Sequence, residues 1–296
     1  MIVDAHLHAY RSAAIGREEK AGYPIREYGA KGDVVFSERD GSVADALDAL
    51  AEAGVGHAAV LEVFTVPGLP FPDGRFWPAS PRFAEHADAL VSGNEWVCGV
   101  AREHPQLLPF VCAHPAVMSA GGTAEHVAAL EPAGVKLHTI GQRLDPSDPG
   151  LEPLFELCSA RALPVIAHCG PDRHGRDFAT PAAFAPVAER FPRLPLVLAH
   201  LGGGAWRDVP AFAAAHPGVR FDLSEIVSWT GSERGPAVEE LGALIRTVGA
   251  QRVLMGSDFP WYDPADVIAR VRALPGLGEG ETAAILGGNA AELLGL

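Results

Sequence analysis

Lysine is scarce in this chain: three residues in 296, Lys20, Lys31 and Lys136. With 23 Lys plus Arg against 37 Asp plus Glu, the formal charge is −14, a field that repels phosphate backbones and anionic lipid surfaces. Neither a nucleic-acid partner nor a membrane partner is expected. Long hydrophobic runs are missing as well. None approaches the roughly 18 to 20 uninterrupted apolar residues that span a bilayer, and Asp4 and His6 stand where a signal peptide needs its apolar region. A soluble, cytoplasmic protein is therefore expected. The four cysteines, at 98, 112, 158 and 169, show no CxxC spacing, which argues against a zinc knuckle or a disulfide framework and for buried thiols. Low-complexity segments are absent. At 48% apolar and 20% charged residues, the composition leaves no room for a long disordered tail.

What the chain does have is rhythm. Short apolar β-type runs recur at Met1–Ala5, His57–Val63, Leu108–Ala113, Gly134–His138, Pro164–His168, Leu194–His200, Val219–Glu225 and Arg252–Asp258, each followed by a helical pattern. Continuous Val/Ile/Leu runs mark strands buried on both faces, and helices between them imply parallel crossovers. One (β/α)₈ TIM barrel needs about 250 residues, so residues 1–296 are expected to form a single such domain. Ser42 is placed to cap a helix carrying Val43, Ala46, Leu47, Leu50 and Ala51 on one stripe, with Gly54 at its end. Two segments break the rhythm: a long insertion after the first strand, residues 9–41, and the Pro-rich stretch 64–79. Both follow strands, so both are expected on the C-terminal face as lids or substrate walls. A helical extension over 279–294 closes the chain, with Asn289 read as the cap of its last helix.

The strand ends carry the chemistry. In order they are His6 and His8, Glu62, His114, His138, His168, His200, Glu225 and Asp258. Barrel interiors are packed apolar layers, so imidazoles and carboxylates repeated at the C-terminal ends converge on one mouth. In Asp4-Ala5-His6-Leu7-His8, strand alternation points both histidines to one side, at a spacing that one metal ion bridges with two ring nitrogens. The last strand lies beside the first in a closed barrel, so Asp258 can join them.

These segments, DAHLH, GVKLH, IAHCG, LAHLGGG, GSDFP and the terminal ILGGNAAELLGL, resemble the amidohydrolase superfamily over nearly the whole chain. The resemblance points to its amidohydrolase-related branch, which includes the aminocarboxymuconate-semialdehyde and γ-resorcylate decarboxylases. It implies that His6, His8, His168 and Asp258 hold a divalent metal, zinc first and manganese as the alternative. It also implies that His200 serves as catalytic acid/base and substrate contact. In binuclear relatives the sixth-strand position binds a second metal, bridged by a carbamylated lysine at the place of Lys136. Here Lys136 is read first as a strand lysine paired to a carboxylate such as Glu62, with the second metal as the less favoured reading.

The resulting expectation is a metal-dependent hydrolase acting on a small molecule, cleaving a C–N or C–O bond of an amide, lactone or ester. Asp258 ligates the metal and accepts the proton of an activated water, while His200 orients the substrate. The alternative uses the same site for non-oxidative decarboxylation of a small aromatic or unsaturated acid, with Arg75, Arg173 and Arg176 as candidate anion anchors. A third reading, a structural or sensory metal site without turnover, leaves the surplus of neighbouring histidines unexplained. His138, Trp261, Arg173 and Trp77 are the candidate substrate contacts, with Phe76, Asp172 and His174 behind them. A homodimer is compatible with exposed apolar residues in the two long segments.

Overall fold

The computed structural model describes residues 1–28, 35–64, 87–115, 117–118, 120–142, 144–171 and 179–296. Eight parallel strands follow one another in sheet order: β1 Ile2–Leu7, β2 Val55–Leu61, β3 Leu107–Cys112, β4 Gly134–Leu137, β5 Val165–Ala167, β6 Leu196–Leu198, β7 Arg220–Asp222 and β8 Val253–Leu254. β8 meets β1 through Ala5 N–H to Met255 O at 2.9 Å, Asp258 N–H to His6 O at 2.7 Å and His8 N–H to Phe259 O at 2.8 Å. These bonds close the sheet and bring residues some 250 positions apart into one rim. The TIM barrel expected from the sequence is the fold found.

The helices alternate with the strands. Those used below are α1 Ala13–Tyr28, α2 Val43–Ala53 and α3 Ala87–Glu103. In α2, Ser42 Oγ accepts from Asp45 N–H at 3.3 Å as expected; of the predicted stripe Ala46 and Leu50 are buried and Val43 and Leu47 half-buried, while Ala51 is exposed and Ala49 is buried in its place. The later strands are shorter than the apolar runs, β5, β6 and β7 having three residues each and β8 two. His6 lies within β1, and inter-strand bonds continue through Glu62 N–H to Phe110 O at 2.9 Å and His168 N–H to Leu137 O at 2.8 Å, so the polar residues are fixed at the strand ends around the mouth. All four cysteines are buried free thiols.

Two expectations need correction. The segment 9–41, read as an irregular insertion, contains the four-turn helix α1. Asn289 does not cap the last helix: it already has helical angles, and its Nδ2 donates to Ala250 O at 2.8 Å and Val253 O at 2.7 Å, pinning the terminal helix under β8. No helix among the described residues is long and apolar enough to cross a membrane.

Candidate metal centre at the barrel mouth

β1 supplies the first two donors. His6 Nδ1 donates to Asp222 Oδ2 at 2.9 Å, and His8 Nδ1 donates to the carbonyl of Leu61 at 2.8 Å. Each of these bonds commits one ring nitrogen and turns the other, Nε2, toward Asp258 Oδ1, at 3.5 Å from His6 and 3.3 Å from His8. These three donor atoms lie within 4.8 Å of one another, a cluster of one cation's size with the ring nitrogens and carboxylate oxygen that zinc or manganese accepts. Locking of the remote ring nitrogen is how metal-binding histidines are commonly held in tautomer and orientation.

Asp222 is the residue that the sequence reading missed, since Glu225 drew attention at the end of the seventh strand. Fully buried, it accepts from His6 Nδ1, from His200 N–H at 3.0 Å, from Ser224 N–H at 3.1 Å and from Ser224 Oγ. Burial pushes its carboxyl up, but His6 and these hydrogen bonds outweigh that and hold it at about 2. Asp4 Oδ1 in turn accepts from His6 N–H at 3.0 Å and Ser257 N–H at 2.9 Å, stapling β1 to the segment after β8.

Electrostatics favour neutral ring nitrogens here. Burial, then the charge of Lys136, lowers His6 to about 3 against the pull of Asp222 and Asp258. Burial also lowers His138, His168 and His200. Asp258 is held below the usual carboxylate range: burial raises it, but the hydrogen bond from His8 and the fields of His6 and His200 prevail. A neutral imidazole with a free lone pair and an ionised carboxylate are the states that a metal requires of its ligands.

His168 stands one ring away from this trio. Its Nδ1 lies 3.0 Å from His200 Nε2, and its ring stacks on His138 at 4.4 Å. Lys136 is not paired to Glu62. Its Nζ lies 3.2 Å from His6 Nε2, and burial lowers it to about 8 against the fields of Asp222, Asp258 and Glu225. Glu62 points elsewhere, toward α3. His114 is occupied with Gln142 O at 2.9 Å. Trp261 packs edge-on against His8 at 5.6 Å, within the mouth. Arg173 and Trp77, together with Arg75, Phe76, Asp172, His174 and Arg176, lie outside the described residues.

The backbone at the rim is strained. His200, Glu225 and Asp258 adopt φ of 60°, 64° and 57°, a region that non-glycine residues enter at a cost of about 1–3 kcal/mol each. Such strain concentrates where side chains must be aimed. Gly256 is needed for close approach, because a Cβ there would lie 2.6 Å from His6 Cβ and 3.2 Å from Ser224 Cβ. Gly256→Ala is accordingly expected to lower stability by about 1–3 kcal/mol and to displace the His6 ring, weakening metal binding. Thermal melts and a zinc titration of the variant check this, and a wild-type zinc affinity would contradict it.

No curated protein matches the chain by sequence. Among solved structures it is similar to 5-carboxyvanillate decarboxylase from Sphingomonas paucimobilis, at 16% identity and TM-score 0.66 over 100% of this chain and 99% of the other. It is similar to 2,6-dihydroxybenzoate decarboxylase from Rhizobium, at 14% and 0.64 over 99% and 98%. A probable 2-pyrone-4,6-dicarboxylic acid hydrolase from Acinetobacter baumannii gives 14% and 0.63 over 100% and 99%. At these identities the likeness establishes a shared fold. The match of the amidohydrolase family model to residues 3–296, together with the HxH strand end and the aspartate after β8, shows that the chain belongs to the amidohydrolase family.

Proposed function

We propose that the chain is a metal-dependent carboxy-lyase that removes carbon dioxide from a small aromatic or unsaturated acid. The observation that carries this reading is the buried amine of Lys136, 3.2 Å from the ring nitrogen that His6 offers to a metal. Three carboxylates, Asp222, Asp258 and Glu225, act on that amine. A divalent cation together with Lys136 offsets all three, which leaves the mouth electrically ready for an anionic substrate. Likeness to two decarboxylases supports the same choice.

His6, His8 and Asp258 are the proposed ligands, with His168 the candidate fourth. A divalent cation held there supplies a Lewis acid that draws electron density away from the scissile bond. Lys136 pairs with the substrate carboxylate. As the C–C bond breaks, its electron pair stays on the substrate carbon, carbon dioxide leaves, and His200 gives that carbon a proton. His200 Nδ1 is backed by Ser224 Oγ at 2.9 Å and Glu225 Oε2 at 3.7 Å, a route by which the proton is replaced. Trp261 and His138 wall the substrate.

Hydrolysis is the second reading, favoured by the likeness to a pyrone-dicarboxylic acid hydrolase and by the capacity of the same ligand set to activate water. Incubating the zinc-loaded and manganese-loaded protein with a panel of hydroxybenzoates and of small lactones separates the two. Carbon dioxide release from a hydroxybenzoate is the expected result. Ring opening of a lactone with no carbon dioxide from any acid overturns the carboxy-lyase reading.

A further inference from the structure

A second cavity opens beside the metal centre and is not used by the chemistry above. It holds about 210 Å³ between α1, α3 and the ends of β1 and β2, and its walls include His8, Tyr10, Arg11, Glu62 and Trp96. An apolar cavity of about 150 Å³ already accommodates a benzene ring, so this space suits one ring and its substituents. His8 lines this cavity and also belongs to the proposed ligand set, so the cavity adjoins the metal centre at that residue.

The walls are built. Arg11 Nη2 donates to Ser92 O at 2.7 Å and to Ser92 Oγ at 2.9 Å, which lays the guanidinium over the Trp96 ring at 5.3 Å. The result is a flat face anchored on α3. Opposite it, the Glu62 carboxyl receives no hydrogen bond from any described residue. The helix makes room for it: at Gly93 a Cβ would lie 2.5 Å from Glu62 Oε1. Burial pushes this carboxyl up to about 7 against the opposing charge of Arg11, the behaviour of an acid waiting for a partner. Arg11 is held by Ser92 and Trp96, and the Glu62 carboxyl is an acceptor on this wall that no described residue engages.

We propose that this cavity holds the end of the substrate remote from the metal, and that Glu62 selects substrates bearing a hydrogen-bond donor there, a ring hydroxyl or amino group. The inference rests on the reading that a planar acid binds at His6, His8 and Asp258, and it names the substrate class more closely: hydroxylated or aminated ring acids with the donor distant from the carboxylate.

Calorimetric binding of benzoate, 3-hydroxybenzoate and 4-hydroxybenzoate to the zinc-loaded protein tests it. At least one hydroxybenzoate is expected to bind roughly tenfold more tightly than benzoate, the effect of one hydrogen bond to a carboxylate. In Glu62→Ala that ratio falls to about one, and Glu62→Gln, which keeps an accepting oxygen, restores part of it. Gly93→Ala, which leaves the carboxyl in the chain but drives it from its place, also lowers the ratio and serves if Glu62→Ala does not fold. An unchanged ratio in Glu62→Ala or Gly93→Ala, no preference in the wild type, or no binding of any ring acid overturns the proposal. Carbon dioxide release is read separately: turnover with an unchanged ratio sinks the subsite alone, and a collapsed ratio without turnover sinks decarboxylation alone.

Discussion

His200→Asn is expected to lower kcat by roughly 10²–10⁴-fold, the usual contribution of one positioned proton donor, while the metal content stays that of the wild type. Asparagine is the informative substitution because it tolerates the positive φ of 60° that this position imposes, so the loop after β6 keeps its shape. Its amide also reaches toward Ser224, which the imidazole contacts through Nδ1 at 2.9 Å. What it cannot do is carry a proton to carbon. Steady-state kinetics beside elemental analysis decide the matter. A variant that loses its metal along with its activity would make His200 a ligand, and a variant of full activity would remove it from the chemistry.

Asp222→Ala is expected to be the most damaging change away from the proposed ligands. It removes an acceptor shared by the His6 ring, two backbone N–H groups and the Ser224 hydroxyl, and each buried donor left without a partner costs about 1–3 kcal/mol. A loss on the order of 3–5 kcal/mol follows, with metal affinity weakened roughly 10–100-fold because the His6 tautomer is no longer fixed. Asp222→Asn separates the two effects. The amide keeps one accepting oxygen but presents N–H where His6 Nδ1 also donates, so affinity falls more than stability. The pH dependence has a definite sign. The carboxyl titrates at about 2 in the folded chain and near 3.8 when free, so its contribution is complete above about pH 4 and is withdrawn as pH falls toward 2. Acid unfolding of Asp222→Asn is therefore expected to be flatter across that window.

The barrel was legible because its signals are local. Eight apolar runs separated by helical stripes need only neighbouring residues to be read, and the Ser42 cap and Gly54 stop of α2 lie within one helix. Polar strand ends were legible for the same reason: His6 and His8 are two apart at the end of the first run, and Asp258 ends the run Arg252–Asp258. Asp222 was not legible. Its bond to His6 joins positions 216 residues apart and exists only because the sheet closes, while in sequence it is one aspartate inside Arg220-Phe221-Asp222-Leu223-Ser224-Glu225. Helix α1 was hidden by Gly16, Gly22 and Pro24, which read as loop, and by the absence of an apolar stripe. Asn289 looked like a cap because asparagine prefers that place, whereas here its amide answers two carbonyls of the chain around β8. Lys136 was assigned to Glu62 on charge alone. The structure turns Glu62 outward to α3 and leaves Lys136 among the metal-binding groups, a choice made by side-chain direction on two different strands.

The account as a whole rests on one cation held by Nε2 of His6, Nε2 of His8 and the carboxylate of Asp258. Metal content by mass spectrometry, after stripping and reloading with zinc, tests it directly in the wild type and in His8→Ala. About one equivalent in the wild type and almost none in the folded variant is the predicted result. Full zinc occupancy in His8→Ala, or a wild type that retains no metal, would contradict it.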